Sequence, residues 1–223
     1  MLRPTLCLFA ILCVSCADIR ETADATTSIR LGAGTLSPIE LDRSLSLGID
    51  SLPLCLDVMV TLPEKNTTVR LNRTSDRCAL TVSQPDLVIL NQKDLENARR
   101  SSGGFDVDAV RRASVSVQEV ELLTDQGAPL DLARYVDTVT VQIDDDIVLD
   151  PVTPAALAQT DGEPITRQLP ADLLNKLKTA VKSNQEAKAK VSLTLGLAGA
   201  TLSDLPGGLK LRVVLQPILE VNV

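Results

Sequence analysis

Near the end of the chain, apolar residues recur at every second position. Val191, Leu193, Leu195 and Leu197 form one row, and Leu209, Leu211, Val213 and Leu215 form another. A period of two places alternate side chains on opposite faces of a strand, so each row marks a strand with one buried face. Residues 200–208 lie between the rows and contain Pro206-Gly207-Gly208, a turn signal. The two rows therefore read as a β-hairpin. Residues 218–223, after Pro217, read as a last strand.

The same alternation recurs upstream. Ile29, Leu31 and Ala33 alternate with polar or small residues until Gly34 and Pro38, and Leu45, Leu47 and Ile49 alternate again. The clearest early strand carries Leu52, Leu54, Leu56, Val58, Val60 and Leu62, with Cys55, Asp57, Met59 and Thr61 on the other face. Pro53 suits its start or a sheet edge. Residues 63–66 read as a turn before a short strand around Val69 and Leu71, and Leu87-Val88-Ile89-Leu90 fits a buried strand. Val115 and Val117 alternate on one parity, Val120 and Leu122 on the other. One extra residue near Gln118-Glu119, a β-bulge, accounts for the switch. After a turn over residues 125–129, Val139, Val141, Ile143, Ile147 and Leu149 share a parity that Asp145 interrupts, which predicts a bend or bulge there.

Two stretches break the β pattern. Residues 91–112 are the most polar part of the domain and contain Arg99-Arg100-Ser101-Ser102-Gly103-Gly104. They read either as one long loop with a helical turn or as a boundary between two small sandwiches; long unstructured loops are uncommon in compact domains. Residues 151–164 read as a loop. Over residues 170–184, Leu173, Leu174, Leu177, Ala180 and Val181 recur at helical spacing, with Pro170 at the start and lysines late. The expected fold is an all-β antiparallel β-sandwich of nine or ten strands over residues 28–223, with one amphipathic helix at about 170–184. A split near residues 91–112 is the alternative.

The first residues carry a different signal. Arg3 precedes Leu6-Cys7-Leu8-Phe9-Ala10-Ile11-Leu12-Cys13-Val14, an apolar run closed by Ser15 and Cys16 and followed by Asp18. A membrane-spanning helix needs about 20 apolar residues. This run is too short to span and fits the h-region of a signal peptide. Leu12-Cys13-Val14-Ser15-Cys16 resembles the lipobox of bacterial lipoproteins, with Cys13 standing where that family usually has Leu, Val or Ile. The resemblance covers residues 1–16 alone. It implies removal of residues 1–15, acylation of Cys16, and anchoring of the mature chain in a bacterial cell envelope. By the family's sorting rule Ala17 directs the anchor to the outer membrane, on its periplasmic or surface face. Each buried methylene of an acyl chain contributes about 0.8 kcal/mol, so several chains hold a protein durably. An ordinary signal peptide with Cys16 left as a thiol is the alternative. Residues 16–27 are polar and aperiodic and read as a tether.

There are five cysteines. Cys7 and Cys13 belong to the signal and Cys16 to the anchor, which leaves Cys55 and Cys78. An exported compartment is oxidising, so the pair reads as a disulfide, with two buried thiols as the alternative. On strand parity it would lie on the less apolar side of the sheet.

Several functions are disfavoured. The formal net charge of −7 repels phosphate backbones, so nucleic acid is not an expected partner. The chain contains no histidine, which removes histidine-dependent catalysis and weakens any case for zinc. Serine-nucleophile signatures and a phosphate-binding glycine loop are absent. Asp144, Asp145 and Asp146, close to Asp150, are weak metal candidates, because successive carboxylates on a strand point to opposite faces while calcium needs six or more oxygens. A carboxylate pair could in principle hydrolyse a glycoside, but two Phe, one Tyr and no Trp leave little to stack on a sugar. No cofactor is expected.

The leading expectation is a non-catalytic β-sandwich held at the membrane by N-terminal acyl chains, with a structural role or another envelope protein as its partner. The alternative is a carrier or chaperone of lipid or other apolar ligands, with a cavity between the 170–184 helix and the terminal hairpin.

Overall fold

The computed structural model describes residues 28–46, 55–74, 77–101, 109–158, 164–198, 205–206 and 208–222. The lipobox, the tether and the residues at 47, 49, 52 and 54 lie outside them.

Among the described residues, eleven strands form two antiparallel sheets. The five-stranded sheet contains β1 (Ser28–Leu31), β2 (Ile39–Ser46), β6 (Val110–Thr124), β9 (Ile165–Gln168) and β11 (Gly208–Asn222). The six-stranded sheet contains β3 (Val58–Leu62), β4 (Thr67–Thr74), β5 (Arg77–Leu90), β7 (Val136–Ile143), β8 (Asp146–Val152) and β10 (Ala187–Leu197), in the order β3-β4-β5-β10-β7-β8. The expected all-β sandwich is therefore the fold. Its α-helices are α1 (Gln92–Ser101), α2 (Leu132–Tyr135), α3 (Pro154–Ala158) and α4 (Ala171–Ser183).

The two C-terminal rows are strands, but they do not form a hairpin. β10 pairs with β5 and β7, whereas β11 pairs with β6 on one side and with β2 and β1 on the other. The rows sit in opposite sheets, and both are buried in one shared core. Alternation reports which face of a strand is covered and is silent about its neighbour. Two central strands facing each other across a sandwich carry the same pattern as two strands side by side.

β11 also runs through Pro217, where the sequence predicts a break. Opposite it on one side β2 ends at the Leu215–Ile39 pair, and β1 begins at the Leu219–Leu31 pair. Pro217 falls in the gap between them, where no neighbouring strand loses a hydrogen bond. The buried side chain of Gln216 bridges the gap, its Nε2 donating to Leu36 O at 3.1 Å.

The bulge expected in β6 is present. Val214 pairs with Glu119 and Leu215 with Val117, which leaves Gln118 as the extra residue. The feature at Asp145 is different from the expectation. Asp144 and Asp145 form a two-residue turn between the paired residues Ile143 and Asp146, so the stretch is a hairpin of two strands. Ile147 is consequently exposed while Val148 and Leu149 are buried.

Residues 92–101, expected in a loop or at a boundary, form α1, which buries Leu95, Ala98 and Asp94. Its start is a reciprocal cap. Asn91 Oδ1 accepts from Asp94 N at 2.9 Å, and Asp94 Oδ2 accepts from Asn91 N at 3.3 Å. A helix started by such a cap, in a polar segment, leaves little apolar periodicity to read. Both sheets take strands from either side of α1. The expected loop at 151–164 contains the end of β8 and α3.

The helix at 170–184 is α4, which buries Leu173, Leu177, Ala180 and Val181. It ends on Asn184 in the left-handed conformation at φ 53°, a position that Asn tolerates. Arg99 of α1 closes that end, with Nη1 donating to Asn184 Oδ1 at 3.1 Å and Nη2 to Val181 O at 3.3 Å.

One polar side chain links the sheets from inside. Arg43 of β2 shares its face with the buried Ile39, Leu41 and Leu45. Its Nε donates to Thr67 Oγ1 of β4 at 3.0 Å, and its Nη2 to Gln84 Oε1 of β5. Thr67 and Gln84 are both buried, so Arg43 satisfies two acceptors that water does not reach.

Candidate functional site

Cys55 and Cys78 form the expected disulfide, with Cα atoms 5.6 Å apart. Its placement corrects the expectation from parity. Cys78 lies on the face of β5 that carries Leu80 and Val82 and is 5% exposed. Cys55 precedes β3 and has a left-handed backbone at φ 46°. It is outside the strand, so strand parity does not govern where its sulfur points, and it packs against the core. Closing the 23-residue separation contributes roughly 3 kcal/mol in the chain-entropy account.

Two of the three successive aspartates are drawn to cations of the protein itself. Asp144 Oδ2 accepts from Lys176 Nζ of α4 at 2.9 Å, and its Oδ1 accepts from the backbone N of Lys190 at 2.9 Å. Lys190 Nζ lies 3.2 Å from Asp145 Oδ1. Partial burial raises the pKa of Asp144, but the bonds from Lys176 and the Lys190 backbone, with the charges of both lysines, outweigh it and hold the carboxyl below its ordinary value. Among the described residues no three His, Cys, Asp or Glu side chains gather where they could hold a metal ion.

Beneath α4, the enclosed apolar space lined by Ile39, Ile89, Val115, Leu169, Leu177 and Leu219 measures about 10 Å³. That is about the space one water molecule needs. An acyl chain does not fit it in this conformation.

The feature that sequence reading does not single out is the outer face of the six-stranded sheet. Register places Thr68, Ser83, Ser192 and Gln142 in one row across β4, β5, β10 and β7. The next row is Arg70, Thr81, Thr194 and Thr140, and the third is Asn72, Ala79, Gly196 and Thr138. These twelve positions carry one charge, that of Arg70, which pairs with Asp57 at 3.5 Å. Cross-strand hydroxyls bond to each other, Ser83 to Ser192 at 2.8 Å and Thr81 to Thr194 at 3.0 Å. Ala79 and Gly196 keep the third row low, because a Cβ at residue 196 would collide with Thr138 Oγ1. Met59 of β3, 69% exposed, and Ile147 of β8, 53% exposed, lie at opposite sides of this surface.

The outer face of the five-stranded sheet has the opposite character. Glu40, Val214 and Glu119 share one row, and Asp42, Arg212 and Glu121 share the next. Arg212 Nη1 lies 3.4 Å from Glu119 and 3.6 Å from Glu121.

No protein-family model matches the chain, and no curated protein or solved structure matches it significantly. The signal in the sequence is the alternation of Thr138, Thr140 and Gln142 with valines. It has no meaning as a surface until the register sets it beside Thr81, Ser83, Ser192 and Thr194.

Proposed function

We propose that this chain is an envelope lipoprotein, anchored through acylated Cys16, whose β-sandwich binds another envelope protein through the outer face of the six-stranded sheet. The observation that carries the binding role is the near absence of charge on three successive rows of that face, from Thr68–Gln142 to Asn72–Thr138, with the exposed Lys188 and Lys190 of β10 lying beyond them at one end. Interface centres are depleted in charged residues, because each ion must be desolvated when the surfaces meet. Hydroxyls and amides exchange water for a partner's hydrogen bonds at much lower cost. The charged face of the other sheet suits solvent. The envelope location is supported by the lipobox-like segment and by a disulfide, which persists in oxidising compartments. Carriage of lipid has less support, since the space under α4 is too small for an acyl chain.

Two measurements test the proposal. Cys16→Ser should move the protein from the membrane to the soluble fraction and remove the acyl mass from the intact protein. A photo-crosslinking residue at Thr140 or Thr194 should capture a defined envelope protein that the same residue at Glu121 does not. Equal capture from both faces, or none from either, would overturn the binding face.

A further inference from the structure

Edge strands of monomeric proteins are normally blunted by charge, proline, bulges or short length. Three edges here follow that pattern. β8 carries Asp146, Asp150 and Pro151; β9 has four residues including Arg167; and the β1–β2 side carries Arg30, Glu40, Asp42 and Arg43. β3 does not. Val58-Met59-Val60-Thr61-Leu62 has neither charge nor proline, and β4 is its only partner among the described residues. Its apolar side chains are open on both faces, Met59 on the outer one and Val60, 42% exposed, on the inner one. Leu56, just before the strand, is 49% exposed.

We infer that β3 pairs antiparallel with β3 of a second copy of this chain, about a two-fold axis at Val60. Three features point to a second copy as the occupant. A free apolar edge needs a partner edge that is equally unprotected, and among the described strands only β3 is one. The strand is self-complementary about Val60: Val58 meets Leu62, Val60 meets itself, and Met59 meets Thr61. Inner-face side chains then meet only apolar ones. The ends also complement each other in charge. Asp57 precedes the strand and Lys65 lies in the turn after it. Antiparallel pairing brings each Asp57 within two residues of the other copy's Lys65. Such an interface is isologous and closes as a dimer. It would join two six-stranded sheets, and with them the polar rows of their outer faces. The inference does not depend on the anchor or on the proposed envelope partner.

Sedimentation velocity of the purified full chain in detergent, over a dilution series, should give twice the polypeptide mass at the concentrated end. Val60→Lys sets two like charges opposite each other and should leave a monomer with an unchanged β-type circular dichroism spectrum. Thr61→Lys, at an exposed position that puts a charge on the same edge, should do the same if Val60→Lys misfolds. Val60→Cys should yield a disulfide-linked dimer on mild oxidation, since directly opposed residues lie within disulfide reach. Met59→Cys, opposed to Thr61, should crosslink far less. A monomer at every concentration, or equal crosslinking from positions 59 and 60, would overturn the inference.

Discussion

Asp144 and Lys190 exchange backbone and side-chain hydrogen bonds. Asp144 N donates to Lys190 O at 2.7 Å, and Lys190 N donates to Asp144 Oδ1 at 2.9 Å. Lys176 of α4 then binds the second carboxylate oxygen at 2.9 Å. One turn residue thereby ties the β7–β8 hairpin to the neighbouring strand and to a helix.

This arrangement makes part of the stability depend on pH. The folded pKa of Asp144 is depressed. Its contribution is therefore complete above the unfolded carboxylate pKa and is lost as pH falls through the folded value. Asp144→Asn keeps an acceptor for Lys190 N and removes the charge. The variant should melt slightly below wild type at neutral pH, by about 1 kcal/mol or less because the pair is partly exposed. The gap should narrow below about pH 4 and close under stronger acid. Thermal melts from pH 7 downward check this, and a gap that widens on acidification would refute it.

Gly196 and Thr138 are matched in shape on the outer face of the six-stranded sheet. A Cβ at residue 196 meets Thr138 Oγ1 too closely but stands 3.6 Å from Thr138 Cβ, an ordinary contact. Gly196→Ala should cost about 1–3 kcal/mol, the range for overpacking. Adding Thr138→Ala removes the offending oxygen and should restore much of the loss. Urea denaturation of both single variants and the double variant measures the coupling, expected at about 0.5–3 kcal/mol for residues in contact. Strict additivity would show that the two do not collide.

Asp94, 2% exposed, ties α1 to the loop between β1 and β2. Its Oδ1 accepts from Ser37 N at 2.9 Å and Ser37 Oγ at 2.7 Å, while Oδ2 accepts from Asn91 N. Asp94→Ala should destabilise by about 1–3 kcal/mol, because it strands these donors and removes half of the helix cap. Ser37→Ala, which deletes only the hydroxyl bond, should lose less. The denaturation midpoint should fall with the slope unchanged. An unshifted midpoint in Asp94→Ala would mean that the loop is held by other contacts.

Much of this fold is legible in local patterns. The apolar rows at Val191–Leu197 and Leu209–Leu215, the bulge at Gln118, the helix beginning after Pro170 and the Cys55–Cys78 bond follow from periodicity, parity and cysteine count. α1 escapes such a reading because it rests on the Asn91–Asp94 cap, and its buried apolar face is two small patches at Leu95 and Ala98. β3 is shorter than its parity suggests. Leu52, Leu54 and Leu56 continue the alternation, yet Cys55 turns into the left-handed region before the strand begins.

The candidate site is less legible, since no single strand contains it. Thr81 and Thr194 are 113 positions apart in the chain and 3.0 Å apart in space. Only the alignment of β4, β5, β10 and β7 converts separate polar residues into one surface whose single charge is Arg70.

By itself the sequence determined which face of most strands is covered, because burying apolar area rewards any alternation of period two. It also determined the lipobox-like resemblance at the front. Tertiary structure alone decided that β10 and β11 lie in opposite sheets, that Asp144 answers to Lys176 and Lys190, and that β3 is an edge strand among the described residues. Those choices depend on which strands meet, and pairing is set by contacts between segments far apart in the chain, which no local pattern records.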